Sequence, residues 1–455
     1  MLWACDPTRG YVGVMPDEPA PDVISGGRDP DAHRRAAPWR LLAGLTAAVL
    51  IAGVVAFHLV SAPAGPVPPT KLQASPSPVA LVAPSMLHGT PLRPGGAPGT
   101  LLFLGGTELR LLNVRPQAPA SLASVLPDAG DARNPLGPDP AVQQIISVTG
   151  GVVALVYSQG SAGLPDIGDV LFVPVDAPGA GRAEAIEGAG PTRIIARANY
   201  IALAPNHRDV WVEQAGPPWG NGPAGSPAWL VDEDGRRLSA VRPLNHQALV
   251  AATVRGLLVQ GPDQKLALID PVNGRAERTA IPANAIIAGT DADQVAWQAA
   301  ACPLNCPLHV TDVRGGPDTQ IALPPHTVID ANDTSDFDPA GQRLAVPLDT
   351  TDPQGVTTGT FVYVADLSAR KLIKIPGGPT PVAALPAVLG AFPAGSSDVV
   401  CVRWSADGSG LWIVATDGLY FQVGYWTGHG PLRVLPPQAG LAYKFDIPGT
   451  SGLAA

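Results

Sequence analysis

Three short stretches of the 455-residue sequence hold side chains able to do chemistry. "CPLNC" sets Cys302 and Cys306 around a Pro-Leu-Asn turn, with His309 three residues further on. Thiols this near favour a local disulfide outside the cytoplasm, provided the turn brings their α-carbons within bridging distance. Cys-x3-Cys-x2-His also offers three zinc ligands, but a structural zinc takes four and no fourth is suitably spaced. "DANDTSDFD" gathers Asp330, Asn332, Asp333, Asp336 and Asp338, oxygen ligands of the kind calcium takes. It lacks the glycine and closing glutamate of an EF-hand loop and leads into an apolar strand, so a solvated loop is expected. No metal or cofactor is assigned. Asn332-Asp333-Thr334 is also a glycosylation sequon. "GPPWGNGPAGSP" (Gly216 to Pro227) carries Trp219 in a strand-breaking loop, where an exposed aromatic suits a binding face. Cys401 opens an apolar strand and reads as a buried thiol. The eight histidines are scattered, and no phosphate-loop, dinucleotide, HExxH or nucleophile-elbow motif occurs, so no catalytic residue is assigned.

The elements that must position these residues are short strands. Charged residues make up 15%, Pro and Gly number 52 and 51, and apolar residues reach 46%. Beyond residue 100 the sequence alternates brief Val/Leu/Ile runs with Asp, Asn, Gly and Pro corners, without a sustained 3.6-residue period. "LAPNHRDVWV" (Leu203 to Val212), "FDPAGQRLAV" (Phe337 to Val346) and "WSADGSGLWI" (Trp404 to Ile413) repeat one turn-strand form. A second form, strand then polar corner, recurs at "LLNVRPQAP", "LFVPVDAPG", "AWLVDEDGRR", "LALIDPVNGR", "LHVTDVRGG", "FVYVADLSARK" and "FQVGYWTGHG". One corner per roughly 40–60 residues matches a four-stranded propeller blade. The expected blades are 100–140, 141–190, 191–240, 241–282, 283–325, 326–380 and 387–436, with Leu441 to Ile447 completing the first. The fold class expected is an all-β β-propeller of seven four-stranded blades, within a range of six to eight, preceded by one transmembrane helix.

"WSADGSGL" and "FDPAGQRL" resemble the blade signature of TolB-like and WD-repeat propellers, aromatic-Ser-Pro-Asp-Gly-x-x-Leu. Ala406 replaces the proline, and Asp338 and Ala340 depart from the serine and aspartate. "LIDPVNGR" is similar to the strand corner of other bacterial propellers. The resemblance implies a fold and says little of activity. Asp407 and Gly408 are then turn-makers. A sialidase Asp box, Ser-x-Asp-x-Gly-x-x-Trp, fits at Ser405, Asp407 and Trp412 but not at Ser409, and would itself be a structural turn.

Leu41 to Val60 is a largely apolar run of twenty residues without Asp, Glu, Lys or Arg, about 30 Å as a helix and enough to cross a bilayer. His33, Arg34, Arg35 and Arg40 flank its N-terminal side alone, so the N-terminus is expected in the cytoplasm. "VSA" (Val60 to Ala62) admits a cleaved signal peptide as the rival, with Pro63 awkwardly after the cut. The expected organisation is a disordered tail over 1–38, a transmembrane helix over 39–61, a Pro-rich stalk over 62–98, the propeller over 99–447 and a tail over 448–455. The chain is expected to end with the propeller, leaving no room for the hydrolase domain that some peptidases attach to one. A net charge of −9 offers no field for phosphate backbones, so nucleic acid is not an expected partner. The expected function is a single-pass plasma-membrane protein whose outer propeller binds, scaffolds or senses without catalysis. Its expected partner is a protein or a cell-wall polymer, met through loops such as 216–227 and 377–398. The alternative is a propeller lyase, lactonase-like hydrolase or glycan-active enzyme using Asp330, Asp336, His326 or His246 at a central channel. Titratable groups clustered at the channel mouth would favour the enzyme, an apolar or aromatic face the binder.

Overall fold

Along Val399–Trp404 the side chains alternate between two apolar environments: Val400, Val402 and Trp404 enter one cluster, Val399 and Cys401 another. A strand buried on both faces needs a sheet against each face, which is why the runs read as continuously apolar. Repeated around the chain, that requirement closes a ring of sheets. The computed structural model describes residues 85–94, 96–106, 109–114, 119–124, 140–158, 168–175, 193–214, 226–244, 246–300, 306–313, 316–329, 335–352, 357–377, 399–416, 420–440, 442 and 444–447. They fall in one of the two units into which the chain divides; the other, Gly10–Val82, lies outside the described residues.

Strand β1 (Thr90–Pro91) precedes β2 (Thr100–Gly105), β3 (Leu109–Val114) and β4 (Ser121–Ser124) of blade one. Blade two is β5 (Pro140–Val148), β6 (Gly151–Ser158), β7 (Gly168–Pro174) and β8 (Arg193–Ala198). Blade three is β9 (Tyr200–Leu203), β10 (Val210–Glu213), β11 (Pro227–Val231) and β12 (Arg242–Pro243). Blade four is β13 (Ala248–Thr253), β14 (Gly256–Gln260), β15 (Leu266–Ile269) and β16 (Ala276–Arg278). Blade five is β17 (Ala285–Thr290), β18 (Gln294–Ala299), β19 (Leu308–Asp312) and β20 (Thr319–Ile321). Blade six splits its inner strand into β21 (Thr327–Val328) and β22 (Asp336–Phe337), followed by β23 (Arg343–Thr351), β24 (Thr357–Asp366) and β25 (Lys371–Lys374). Blade seven is β26 (Val399–Trp404), β27 (Leu411–Thr416), β28 (Tyr420–Trp426) and β29 (Arg433–Val434), with β30 (Gln438–Ala439) also on β28.

The last strand, β31 (Lys444–Asp446), pairs antiparallel with β2 and becomes the inner strand of blade one, closing the ring. The protein is therefore a seven-bladed β-propeller with four strands to a blade at its core. Each of the seven buried clusters joins residues of two successive blades, so the core lies in the seams.

Two boundaries differ from expectation. Arg193–Ala198 is the outer strand of blade two, paired with β7, rather than the start of blade three. The propeller also reaches back into the stretch expected as stalk. Met86 and Leu87 are buried between blades six and seven, both their N–H groups donate to Gln422 Oε1 at 2.9 and 2.7 Å, and β1 adds parallel to β29. Two apolar residues amid dense proline suffice because the seam supplies the rest of the contact surface. No helix among the described residues is long and apolar enough to cross a membrane; residues 39–61 lie outside them.

Candidate functional site

Inner strands of a propeller have a partner strand on one side only, so their other edge must satisfy N–H groups some other way. Side-chain acceptors do this across five seams. Ser147 N–H donates to Asp446 (2.9 Å), Ile201 N–H to Gln144 (2.9 Å) and Leu249 N–H to Glu213 (2.9 Å). Ile329 N–H donates to Gln298 (3.2 Å) and Trp404 N–H to Asp336 (2.8 Å). Burial pushes the Glu213 and Asp336 carboxyls up to about 7, and lifts Asp446, with Arg403 opposing the rise at Asp336 and Asp446.

At one end of the ring, the hairpins between first and second strands share a geometry. Ala204, Asp338 and Ser405 N–H each donate to a carbonyl five residues on, and His207, Gly341 and Gly408 N–H each donate three residues back. His207, Gly341 and Gly408 occupy the same place with φ of 53°, 62° and 65°. Glycine takes that left-handed conformation freely; a histidine there is strained. Asp407 closes its turn by accepting from Ser405 Oγ (2.7 Å) and Ser409 N–H (2.9 Å), so it is scaffold. Asp338 accepts from Arg343 Nε (2.8 Å), while Arg343 Nη2 reaches Gly408 O (2.8 Å) and its guanidinium lies over Trp404.

The inner strands and these turns enclose a cavity of about 500 Å³. Apolar walls come from Ile146, Leu203, Val250 and Ile287. Bulges at Val142/Gln144, Leu249/Ala251 and Ile287/Gly289 interrupt three of the inner strands, re-aiming successive side chains. The polar lining includes the buried Lys444 and two groups of acids and their neighbours. Asp336, Asp338 and Asp446 are committed to backbone and arginine partners, and Arg403 lies 3.5 Å from Asp446. The second group sits on the turns. Asp291 accepts from Ala292 N–H (2.6 Å), and burial holds its carboxyl above the ordinary range, with His207 opposing and Asp293 and Asp338 adding to the rise. His207 Nδ1 and Gln294 Oε1 are buried without a hydrogen-bond partner among the described residues.

Of the residues singled out in the sequence, Asp336 alone reaches this cavity among the enzyme candidates. His246 and His326 sit in left-handed turns ahead of β13 and β21 and do not line it, and Asp330 lies outside the described residues. Trp219 and Cys302 also lie outside them. Cys306 is disulfide-bonded and Cys401 is a buried free thiol. His309 stacks on Trp297 at 4.0 Å between ring centroids and its Nδ1 meets Asp318 at 2.6 Å, so it is engaged away from any zinc set. Among the described residues no group of three or more His, Cys, Asp or Glu is placed to hold a metal.

The residues missed by sequence reasoning are His207, Asp291 and Gln294. One signal was present: aligning "APNH" with "DPAG" and "SADG" puts a histidine where the sister turns hold glycine.

No protein-family model matches the chain, and no curated protein matches it. Solved structures similar to it include a puromycin hydrolase (18% identity, TM-score 0.43), of which the match covers 74% of this chain and 50% of that one. The β-propeller domain of the Trilobed protease from Pyrococcus furiosus is similar at 10% identity and TM-score 0.41, over 66% of this chain and 84% of that one. The Myceliophteria thermophila Cps50 (Swd1) propeller domain is similar at 13% identity and TM-score 0.37, over 64% and 86%. The chain spans half the length of the puromycin hydrolase it matches.

Proposed function

We propose that the chain is a single-pass membrane protein whose propeller lies outside the cell as a non-catalytic binding or sensing module, of TolB-like kind, receiving its ligand at the turn end of the central cavity. The observation that carries the binding reading is the division of labour among the cavity's polar groups: Asp336, Asp338 and Asp446 hold seams and turns, while Asp291, Gln294 and His207 line the same cavity from its turns. The anchor reading rests on Leu41 to Val60 and its one-sided arginines. A Cys302–Cys306 bridge, with Cys306 already in a disulfide, suits that oxidising side.

The test is photo-crosslinking on intact cells with benzoylphenylalanine at Ala292, on the cavity rim, and at Arg278, on the exposed outer edge of blade four. One dominant captured species from residue 292 and none from 278 supports the reading. Capture only from a probe within 216–227 moves the binding face to that loop. Nothing captured from either end removes the binding module.

A second reading has one specific observation in its favour. Titratable groups do cluster at the mouth, and Asp291, raised by burial beside His207, has the character of a general acid. Turnover of a lactone or glycan by wild type, abolished in Asp291→Asn, would replace the binding reading with the enzymatic one.

A further inference from the structure

We infer that the outer edge of blade three, with the turn of blade four beside it, docks on an anionic lipid surface, its arginines on headgroup phosphates and its exposed apolar side chains among the headgroups. This rests on the anchor in the reading above only for the nearness of a membrane; the chemistry is that of the patch itself.

Three contacts assemble the patch. Arg242 Nε donates to Pro271 O at 2.6 Å and its Nη2 to Val272 O, which ties the β15–β16 turn of blade four to the edge of blade three. On the other side the β11–β12 turn abuts β8 of blade two, where a Cβ on Gly235 would lie 2.7 Å from Ile195 O. Between them Leu238 N–H donates to Leu230 O at 2.9 Å and keeps the chain along β11. Four of the six large apolar side chains exposed among the described residues gather here: Ile194, Leu238, Val241 and Val272, the last 77% exposed on its turn. One such residue would mean little; four on adjoining edges, beside unpaired charge of one sign, mark an interaction surface. The acids nearby are engaged. Asp234 pairs with Arg193, Glu233 with Arg208 and Glu277 with Arg255. Asp232 and Asp270 accept N–H groups of their own turns. Arg236, Arg237 and Arg275 are exposed and pair with no acid among the described residues, and Arg237 lies over the half-buried Trp229 ring at 5.2 Å. In a chain of net charge −9 this edge is locally positive. Guanidinium groups fork onto phosphate oxygens, while Val, Leu, Ile and an indole gain by moving from water into the headgroup boundary. Charge that merely kept a strand edge from pairing would stand among polar neighbours. A soluble polyanion would satisfy the arginines and leave Val272 and Leu238 in water; an anionic bilayer serves both sets at once.

The experiment is hydrogen–deuterium exchange on the full chain in nanodiscs of phosphatidylcholine alone and of an equal mixture with phosphatidylglycerol. Amides of 232–243 and 270–275 are expected to exchange about threefold or more slower in the mixed discs, and high salt is expected to erase the difference. Arg236→Glu combined with Arg275→Glu is expected to abolish the protection at an unchanged urea midpoint. Val272→Trp is expected to deepen it, a gain that misfolding cannot produce. Equal exchange in the two discs, protection confined to Lys371–Lys374 of blade six, or indifference to all three substitutions overturns the inference. Protection raised as strongly by soluble polyphosphate in phosphatidylcholine discs, and unmoved by Val272→Trp, makes a polyanion the partner and overturns it as well. A chain that does not enter the discs removes the anchor reading alone. The patch is then tested by flotation of the chain with preformed vesicles of the same two compositions: binding to the mixed vesicles only sustains the inference, and binding to neither ends it.

Discussion

Three carboxylates and two amides perform the same task at five seams, and the difference between them is measurable. Glu213 accepts Leu249 N–H as Gln298 accepts Ile329 N–H, but only Glu213 can ionise. Its pKa rises from 4.5 to about 7 on folding, because burial penalises the charge. The folded state therefore holds a proton the unfolded chain has released. This stabilisation is complete below pH 4.5 and is lost as pH rises through about 7. Asp336 adds the same sign, its contribution complete below pH 3.8 and lost as pH rises through about 7. Melting temperature is expected to fall between pH 5 and pH 8. Glu213→Gln should flatten that slope and gain on the order of 1–3 kcal/mol at pH 8, measured by urea denaturation at both pH values. His207→Gly should leave stability unchanged or raise it by up to about 1 kcal/mol, while weakening capture at the cavity rim. Turn-makers such as Asp407 and Gly408 were legible in the sequence because the turn repeats. The seam acceptors were not: each is a polar residue within or beside an apolar run whose partner is 31 to 299 residues away.

A strap of eight residues, Ser85 to Leu92, behaves as an element although only two of them form a strand. Leu87 is fully buried, Gln422 accepts two of the strap's N–H groups, and His88 N–H donates to Gly377 O at 3.0 Å. Gly377 has φ of 85°, and a Cβ there would sit 1.7 Å from His88 O, so the site admits glycine alone. Leu87→Ala is expected to cost about 2–5 kcal/mol, and Gln422→Ala about 1–3 kcal/mol from the orphaned N–H groups, both read as lowered urea midpoints. If the strap were a passive linker, neither substitution would move the midpoint. The sequence concealed this element because proline density and an apolar pair carry no strand periodicity. The polar corners between strands, by contrast, announced the blades plainly.

At the level of the whole ring, closure depends on β31, which completes blade one and carries Asp446 to the seam with blade two. A chain ending at Gly440 should lose cooperative unfolding and expose the edges of β2 and β5, appearing as higher oligomers in size-exclusion chromatography. A monomer with an unchanged unfolding transition would show that closure is dispensable. The repeat count and the closing strand were legible because each blade buries both faces and so repeats its pattern. The cavity was not, since its lining comes from seven separated segments that meet only when the ring shuts. One consequence follows for a chain held at its N-terminus. Tension arriving before Ser85 meets the Met86–Leu87 plug in the seam of blades six and seven first and then β1 on the outer strand of blade seven. The first load of a pull on the tether therefore falls on the seam of blades six and seven, whose buried cluster includes Trp404 of the cavity wall.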